Sequence, residues 1–203
     1  MTAIDELVAL REDLERAGTT VMELARNGRP EEPWTIYPDE YGVFDRKTRS
    51  QFYYHTHGSP DEAGHFHTVR LFDDRTAHLV AISMADTGQP QALFTVNLWA
   101  IGDAYETPGR LKRYAREFRI GVTPWDPRLV RFVNLVFQAF LPQIERLQDA
   151  KEEAFAAYRA THPDANPFED RSLEILSRVA LDLGSLTKPA TTGRHSRHAP
   201  RLT

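Results

Sequence analysis

Four of the chain's eight histidines lie within residues 53–72, whose sequence is YYHTHGSPDEAGHFHTVRLF. They form two His-x-His pairs, which are together called the histidine cluster below: His55, His57, His65 and His67. Because side chains alternate between the two faces of a β-strand, each pair would present both imidazoles on one face. Imidazole nitrogens are ligands for zinc, iron, copper and nickel, and they do not suit calcium or magnesium. The pattern therefore predicts a transition-metal site, with iron or zinc as the first candidates.

The expected geometry is a hairpin whose loop, 58–64, joins the two pairs. Pairing His57 with His65 would place all four rings of the cluster on one face of the sheet. Opposed Cβ atoms lie about 5 Å apart, so three or four ring nitrogens could reach one ion at about 2.1 Å. Glu62, in the same loop, could add a carboxylate and make a two-histidine, one-carboxylate iron site. The alternative is a half-exposed sheet whose histidines pair with Tyr53, Glu62 or water.

The same register predicts a ligand groove beside the histidine cluster. Turns at 73–76 and at Thr87-Gly88 extend the sheet, and the histidine face then gains an apolar floor and a polar far row. The predicted substrate-binding residues are Gln51, Val69, Val80, Ile82, Leu93 and Asn97. Tyr53 and His78 are the predicted catalytic groups, although a lone strand histidine is more often a hydrogen-bonded core residue. The opposite face is expected to form the core with Phe52, Tyr54, Phe66, Phe72, Leu79, Phe94, Val96 and Leu98.

The elements that must position these residues predict an α+β fold. Residues 1–30 carry apolar side chains at spacings of three and four, typical of a helix that Gly18-Thr19-Thr20 could divide. Residues 34–99 are rich in β-branched and aromatic side chains, and their short connectors predict an antiparallel meander of five or six strands. The predicted strands are 34–37, 41–44, 50–57, 65–72, 77–84 and 91–98.

Helices are expected after the sheet, over 107–183. The predicted helices are 108–118, 127–160 and 166–183, and Thr-Pro and Asp-Pro pairs mark where the first two begin. Pro142 would kink the long helix. Residues 1–185 are therefore expected to form one α+β domain, and the basic segment 186–203 is expected to be disordered.

Composition narrows the classes of function. The chain has 203 residues, no cysteine and a net charge of −4, which excludes thiolate ligands and disulfides and disfavours nucleic-acid binding. The most apolar run, 129–141, is too short to span a bilayer, and the N-terminal segment does not read as a secretory signal. We therefore expect a cytoplasmic protein that acts on a small molecule, either alone or as a homo-oligomer.

The favoured function is an enzyme that uses its metal on a small organic molecule, with iron-dependent oxidation first and zinc-dependent hydrolysis second. A different class is a non-catalytic module that senses a metal, haem or a small ligand. A third interpretation is a partner-binding protein, because the predicted helix 108–119 is basic. Its cationic residues are Arg110, Lys112, Arg113, Arg116 and Arg119. Such a row binds anions or acidic partners, or it is an ordinary solvated helix face.

Residues 34–125 resemble a bacterial family known only as a domain of unknown function. The matching blocks are Tyr53-Tyr54-His55-x-His57, Gly64-His65-Phe66-His67-Thr68, residues 78–84 and Thr95-x-Asn97-x-Trp99. The resemblance implies bacterial origin and a shared sheet, and it implies no activity. Cupin metal sites are loosely similar because they also use a His-x-His strand. This chain has too few strands for a cupin barrel and lacks the cupin spacing of the glutamate, so cupin chemistry is not transferred.

Overall fold

A computed structural model describes residues 1–58 and 61–183. Six strands form one antiparallel sheet in which each strand pairs with the next along the chain. The strands are β1 (Val43–Asp45), β2 (Ser50–His55), β3 (Gly64–Leu71), β4 (Thr76–Met84), β5 (Pro90–Val96) and β6 (Ile175–Ala180). The expected meander and α+β class are confirmed. The predicted first strand, 34–37, is reduced to one bridge between Tyr37 and Tyr54.

Five helices surround this sheet in the described part of the chain. They are α1 (Ala3–Arg16), α2 (Val21–Arg26), α3 (Leu98–Ile101), α4 (Pro108–Glu117) and α5 (Pro127–Thr161). The N-terminal stripe is divided as its sequence allowed, because Thr20 caps α2 and accepts from the backbone N–H of Glu23 at 3.2 Å. The Glu23 carboxylate accepts in return from the N–H of Thr20 at 2.7 Å, which completes a capping box.

The long helix α5 bends where its sequence predicts a bend. Pro142 lies inside it, and Phe140, two residues earlier, has non-helical angles of φ −119° and ψ 19°. Proline has no N–H to donate and its ring crowds the preceding turn, which explains the bend. The buried face of α5 packs on the sheet, and Gln148 donates from Nε2 to the carbonyl oxygen of Leu79 at 2.6 Å.

The segment 166–183 was expected to be helical, and that prediction is wrong. Its residues Ile175–Ala180 form β6, which pairs with β5 through partners such as Thr95 with Ser177. Ser177 also donates from Oγ to the carbonyl oxygen of Leu147 at 2.9 Å, which fixes β6 beside α5. The helical spacing of its leucines is outweighed by the backbone hydrogen bonds that the open edge of β5 offers.

The face of the sheet toward α1 and α5 forms the main core. It buries Phe52, Tyr54, Phe66, Leu79, Val80, Ile82 and Leu93 together with apolar residues of the helices. The opposite face carries the histidine cluster. Within residues 1–58 and 61–183, no helix combines the length and the apolar character needed to cross a bilayer. The predicted disordered segment, 186–203, lies outside the described residues.

Candidate metal centre

The hairpin of β2 and β3 brings the histidine cluster together, in a different register from the predicted one. His55 pairs with His65, and Tyr53 pairs with His67. The predicted pairing of His57 with His65 is wrong, because β2 ends at His55 and His57 follows in the loop. The difference is two residues, and side chains alternate with a period of two. The cluster therefore remains on one face.

The ring nitrogens of the cluster converge. The Nε2 atom of His65 lies 2.7 Å from Nε2 of His55 and 3.0 Å from Nε2 of His67. His55, His57 and His65 each offer a nitrogen within 4.8 Å of the others, so these three residues could hold a metal ion. Two nitrogens on a tetrahedral zinc ion lie about 3.3 Å apart, so the Nε2 atoms of His55 and His65 would have to separate by about 0.6 Å to share an ion.

A carboxylate fixes the orientation of the central ring. Glu62 lies with Oε1 at 2.6 Å from Nδ1 of His65 and accepts with Oε2 from Ser83 Oγ at 2.6 Å. Gln91 donates from Nε2 to Ser83 Oγ at 3.1 Å and supports the serine. Burial raises the pKa of the Glu62 carboxyl, but hydrogen bonds from His65 and Ser83 lower it to about 2 overall. Glu62 therefore binds the far nitrogen of His65 and is not placed as the predicted metal ligand.

The contact with Glu62 determines which nitrogen of His65 carries a proton. An ionised carboxylate only accepts, so Nδ1 of His65 carries a proton, and Nε2 has one lone pair when the ring carries no second proton. Two other nitrogens, from His55 and His67, are aimed at that one lone pair. A lone pair accepts one strong hydrogen bond, so neutral rings cannot satisfy both contacts. A cation would resolve the mismatch, because it accepts a lone pair from each ring.

Three histidines of the cluster, His55, His57 and His67, have pKa values below the usual range. Burial, then the neighbouring His65 and His57, lowers the pKa of His55 to about 3. Burial, then His65, lowers the pKa of His57 as well. Burial first, and adjacent imidazoles second, holds the pKa of His67 well below its usual range. Lone pairs are thus available to a metal at neutral pH.

Trp34 holds the loop histidine in place. Its indole stacks on the ring of His57 with centroids 4.0 Å apart and planes 21° apart. Trp34 has a left-handed backbone with φ 68°, is 69% exposed, and donates its N–H to the carbonyl oxygen of Thr56 at 2.8 Å. The Nε2 atom of His57 is buried and has no hydrogen-bond partner within the described ranges. No local pattern in the sequence linked Trp34 to the cluster.

The two predicted catalytic residues lie behind the cluster. The ring of Tyr53 is 5.9 Å from that of His55 and 5.2 Å from that of His67. Burial, then Asp103, raises the pKa of Tyr53 to about 12. His78 contacts His67, with 3.1 Å between its Nε2 and Nδ1 of His67. Neither lines the pocket described below, so any effect of theirs on bound substrate would pass through His67.

A pocket of about 400 Å³ opens directly beside the cluster. Phe94 and Val96 of β5, with Ala81 beneath them, form its apolar floor. Its other walls come from α3, β6 and the loops, including Trp34, Asp61, Trp99, Ile101, Glu174, Ile175 and Arg178. Its size is within the range of sites for small organic ligands.

Three residues predicted for the groove floor, Val80, Ile82 and Leu93, lie in the main core and do not line the pocket. A bulge shifts the pairing of β3 with β4, so that Thr68 pairs with Val80 while Val69 pairs with His78. The extra residue keeps His78 on the histidine face and turns Val80 and Ile82 into the core. Leu93, opposite Ile82, is also in the core, whereas Phe94 and Val96, predicted for the core, lie on the histidine face.

The remaining predicted substrate residues are also outside the pocket. Val69 is buried opposite His78. Gln51 donates from Nε2 to the carbonyl oxygen of Tyr41. Asn97 caps α3 and donates from Nδ2 to the carbonyl oxygens of Pro167 and Leu173 at 2.7 and 2.8 Å. Asn97 thus builds the wall that carries Trp99 without touching the pocket itself.

The basic helix α4 uses much of its charge within the fold. Four of its cationic side chains pair with carboxylates: Arg110 with Glu106, Lys112 with Asp149, Arg116 with Glu145 and, at 4.0 Å, Arg113 with Glu117. These pairs support the reading of α4 as an ordinary helix face and weaken the alternative of a partner-binding helix.

A six-stranded antiparallel sheet with one helix-covered face and one imidazole-lined pocket defines an α+β protein with a candidate metal site. Residues 1–181 match the family described as a domain of unknown function, DUF6969, and the chain belongs to that family. No curated protein and no solved structure matches it. The expected membership of such a domain family is thereby confirmed.

Proposed function

We propose that this protein is a metalloenzyme that binds one transition-metal ion through His55, His57 and His65, with His67 in contact with His65. The observation that supports it best is that His55, His57 and His65 each offer a ring nitrogen within 4.8 Å of the other two. The Glu62 contact strengthens it, because metal-bound histidines usually donate their other N–H to a carboxylate or carbonyl.

The pocket gives the proposed ion an open side for a substrate. With Glu62 occupied by His65 and Ser83, three imidazoles and a free position are the form of site that the contacts favour. Such a centre would supply iron for the activation of oxygen, our first candidate, or zinc for the activation of water, our second. The protein's own contribution is to orient His65, to exclude water with the floor of Phe94 and Val96, and to hold the substrate.

A small organic molecule is the proposed substrate, since the pocket is largely apolar and small. A cytoplasmic location remains a prediction from the sequence, as does a homo-oligomeric state.

Metal content tests the proposal directly. Untagged protein is expected to contain close to one iron or zinc ion per chain, measured by elemental analysis after gel filtration. The double variant His55→Ala/His65→Ala should lose it, because two of three ligands are gone. His162→Ala is the control, since it also removes an imidazole but from an exposed position, and it should retain the ion.

Wild-type protein that contains no ion after expression in metal-replete medium would contradict the proposal. The four histidines would then form a hydrogen-bonded polar cluster without an ion. A bound ion with no turnover of any small substrate would instead favour the non-catalytic sensor.

Glu62 offers a second test of the same site. Glu62→Gln should weaken metal affinity by roughly 10- to 100-fold, because the amide no longer orients His65 or raises its basicity. Competition with a chromophoric chelator measures the change. Ser83→Ala removes only the support of Glu62 and should cost less. Equal affinities in wild type and Glu62→Gln would show that Glu62 has no part in the site.

A further inference from the structure

We propose that Arg178 is the anion-binding end of the pocket and that the substrate is a small apolar or aromatic monocarboxylate. Its carboxylate would pair with Arg178 while its other end reaches the histidine cluster. This inference rests on the proposed function and assigns its substrate class.

The position of Arg178 supports this. It lies on β6 and its guanidinium carbon is 5.5 Å from the centre of the Phe94 ring. The Phe94 ring is in turn 5.3 Å from the ring of His65, in an edge contact. One aromatic ring therefore separates the guanidinium from the central histidine, and a molecule lying along Phe94 would contact both.

The guanidinium of Arg178 is available to a ligand. It makes no salt bridge within the described residues, whereas Arg75 and Arg110 share the carboxylate of Glu106. The guanidinium carbon of Arg178 lies 5.5 Å from the centre of the Phe94 ring, and its N–H groups would donate to a planar acceptor. Arginine binds carboxylates through two parallel hydrogen bonds, so a carboxylate matches those N–H groups.

The charges around the pocket favour one negative charge on the ligand. Arg178 would attract an anion at its own end of the pocket, and a divalent ion at the cluster would add positive charge at the other end. The carboxylates of Asp61, Glu62 and Glu174 also line the pocket. They would repel a second negative charge, so a monocarboxylate fits better than a dianionic phosphate ester.

The rest of the pocket favours an apolar body. Val96, Trp99, Ile101 and Ile175 line it between the cluster and its mouth. Ile175 is 47% exposed, so part of its apolar surface is open to a ligand in the pocket. The small cluster of Ala81, Phe94 and Val96, packed by Ala100 and Ile101, gives this body a firm floor.

Calorimetry on metal-loaded protein tests the inference, with phenylacetate and 3-phenylpropanoate as probes. The carboxylates should bind at least tenfold more tightly than phenylacetamide, their neutral counterpart, and more tightly than phenyl phosphate. Arg178→Gln should weaken carboxylate binding by about tenfold and leave amide binding unchanged. Arg171→Gln is the matched control, because Arg171 also lies on an aromatic ring, 4.5 Å from that of Trp99, but does not line the pocket.

Each outcome is distinguishable from failure of the metal site. Arg178→Gln should keep the same metal content as wild type. Unchanged carboxylate affinity in that variant, equal loss in Arg171→Gln, or tighter binding of phenyl phosphate would overturn the inference while leaving the metalloprotein intact. If the protein proves to bind no metal, the same comparison of wild type with Arg178→Gln in metal-free protein still decides whether Arg178 selects a carboxylate.

Discussion

Metal-free protein is expected to lose several kcal/mol of unfolding free energy as the pH falls from 7 to 5. His55, His67 and His78 have lowered pKa values in the folded state, in each case mainly through burial. In the unfolded chain they titrate near 6.5. Below that pH the unfolded state binds more protons, so stability falls with pH by up to about 1.4 kcal/mol per pH unit for each imidazole.

One buried acid, Asp103, increases the unfolding free energy as the pH falls. Burial raises the pKa of Asp103 to about 6, against hydrogen bonds from the backbone and the charge of Lys151, which lower it. The folded state therefore binds a proton at Asp103 below pH 6, and this offsets part of the loss from one histidine. Since three imidazoles oppose one carboxyl, the net effect remains a loss of stability with acid. The loss due to His55 ends only near pH 3.

Urea unfolding in chelator at half-unit pH steps measures this slope. His78→Leu should reduce the slope by close to one proton, because one buried imidazole no longer has to stay neutral. Val69→Ala is the control, since Val69 pairs with His78 across β3 and β4 and has no titratable group. It should lower stability at every pH and leave the slope unchanged. A flat profile between pH 7 and 5 would contradict the predicted burial of neutral histidines.

Gly64→Ala is expected to destabilise the protein by about 3 kcal/mol. Gly64 begins β3 with φ 146°, a conformation that residues with a Cβ rarely adopt. A Cβ there would lie 2.5 Å from Tyr54 Oη and 2.7 Å from the carbonyl oxygen of His55. The backbone of a metal-binding strand would have to move, so we also expect weaker metal binding. Thermal unfolding and chelator competition measure the two effects.

Two comparisons separate strain from collision at this glycine. Gly102 has φ 65° and no atom within 4 Å of an added Cβ, so Gly102→Ala should cost only about 1 kcal/mol. Tyr54→Phe removes the hydroxyl that a Cβ at position 64 would meet. Gly64→Ala should therefore cost less in a Tyr54→Phe background than in wild type. Equal costs in Gly64→Ala and Gly102→Ala would show that the close approach to β2 has no energetic weight.

The histidine cluster could be predicted from the sequence because the error in the predicted strand register leaves all four histidines on one face of the sheet. The predicted pairing differed from the observed one by two residues, and a shift of two preserves the face of every side chain. The groove floor could not be predicted in the same way. A bulge before Val80 adds one residue to β4, and the side chains after it point to the opposite face of the sheet. The amino-acid sequence around Leu79 contains no pattern that predicts this bulge.

The pocket's outer wall was missed for a different reason. Residues 173–183 have leucines at helical spacing, yet residues 175–180 form a strand because the edge of β5 pairs with them. Arg178 and Ile175 therefore reach the pocket through a contact between distant parts of the chain. Local sequence patterns do not report such contacts, so the candidate ligands were found and the residues proposed to select the substrate were not.

All the proposed metal ligands lie within residues 55–67, in a single hairpin. The opposite wall of the pocket is contributed by α3 and by β6. These two parts of the gene could thus evolve separately. Relatives that share the hairpin yet differ near positions 99–101 and 175–178 would keep one inorganic centre and diversify what it acts upon. For engineers, β6 is accordingly the segment to randomise when a new specificity is wanted.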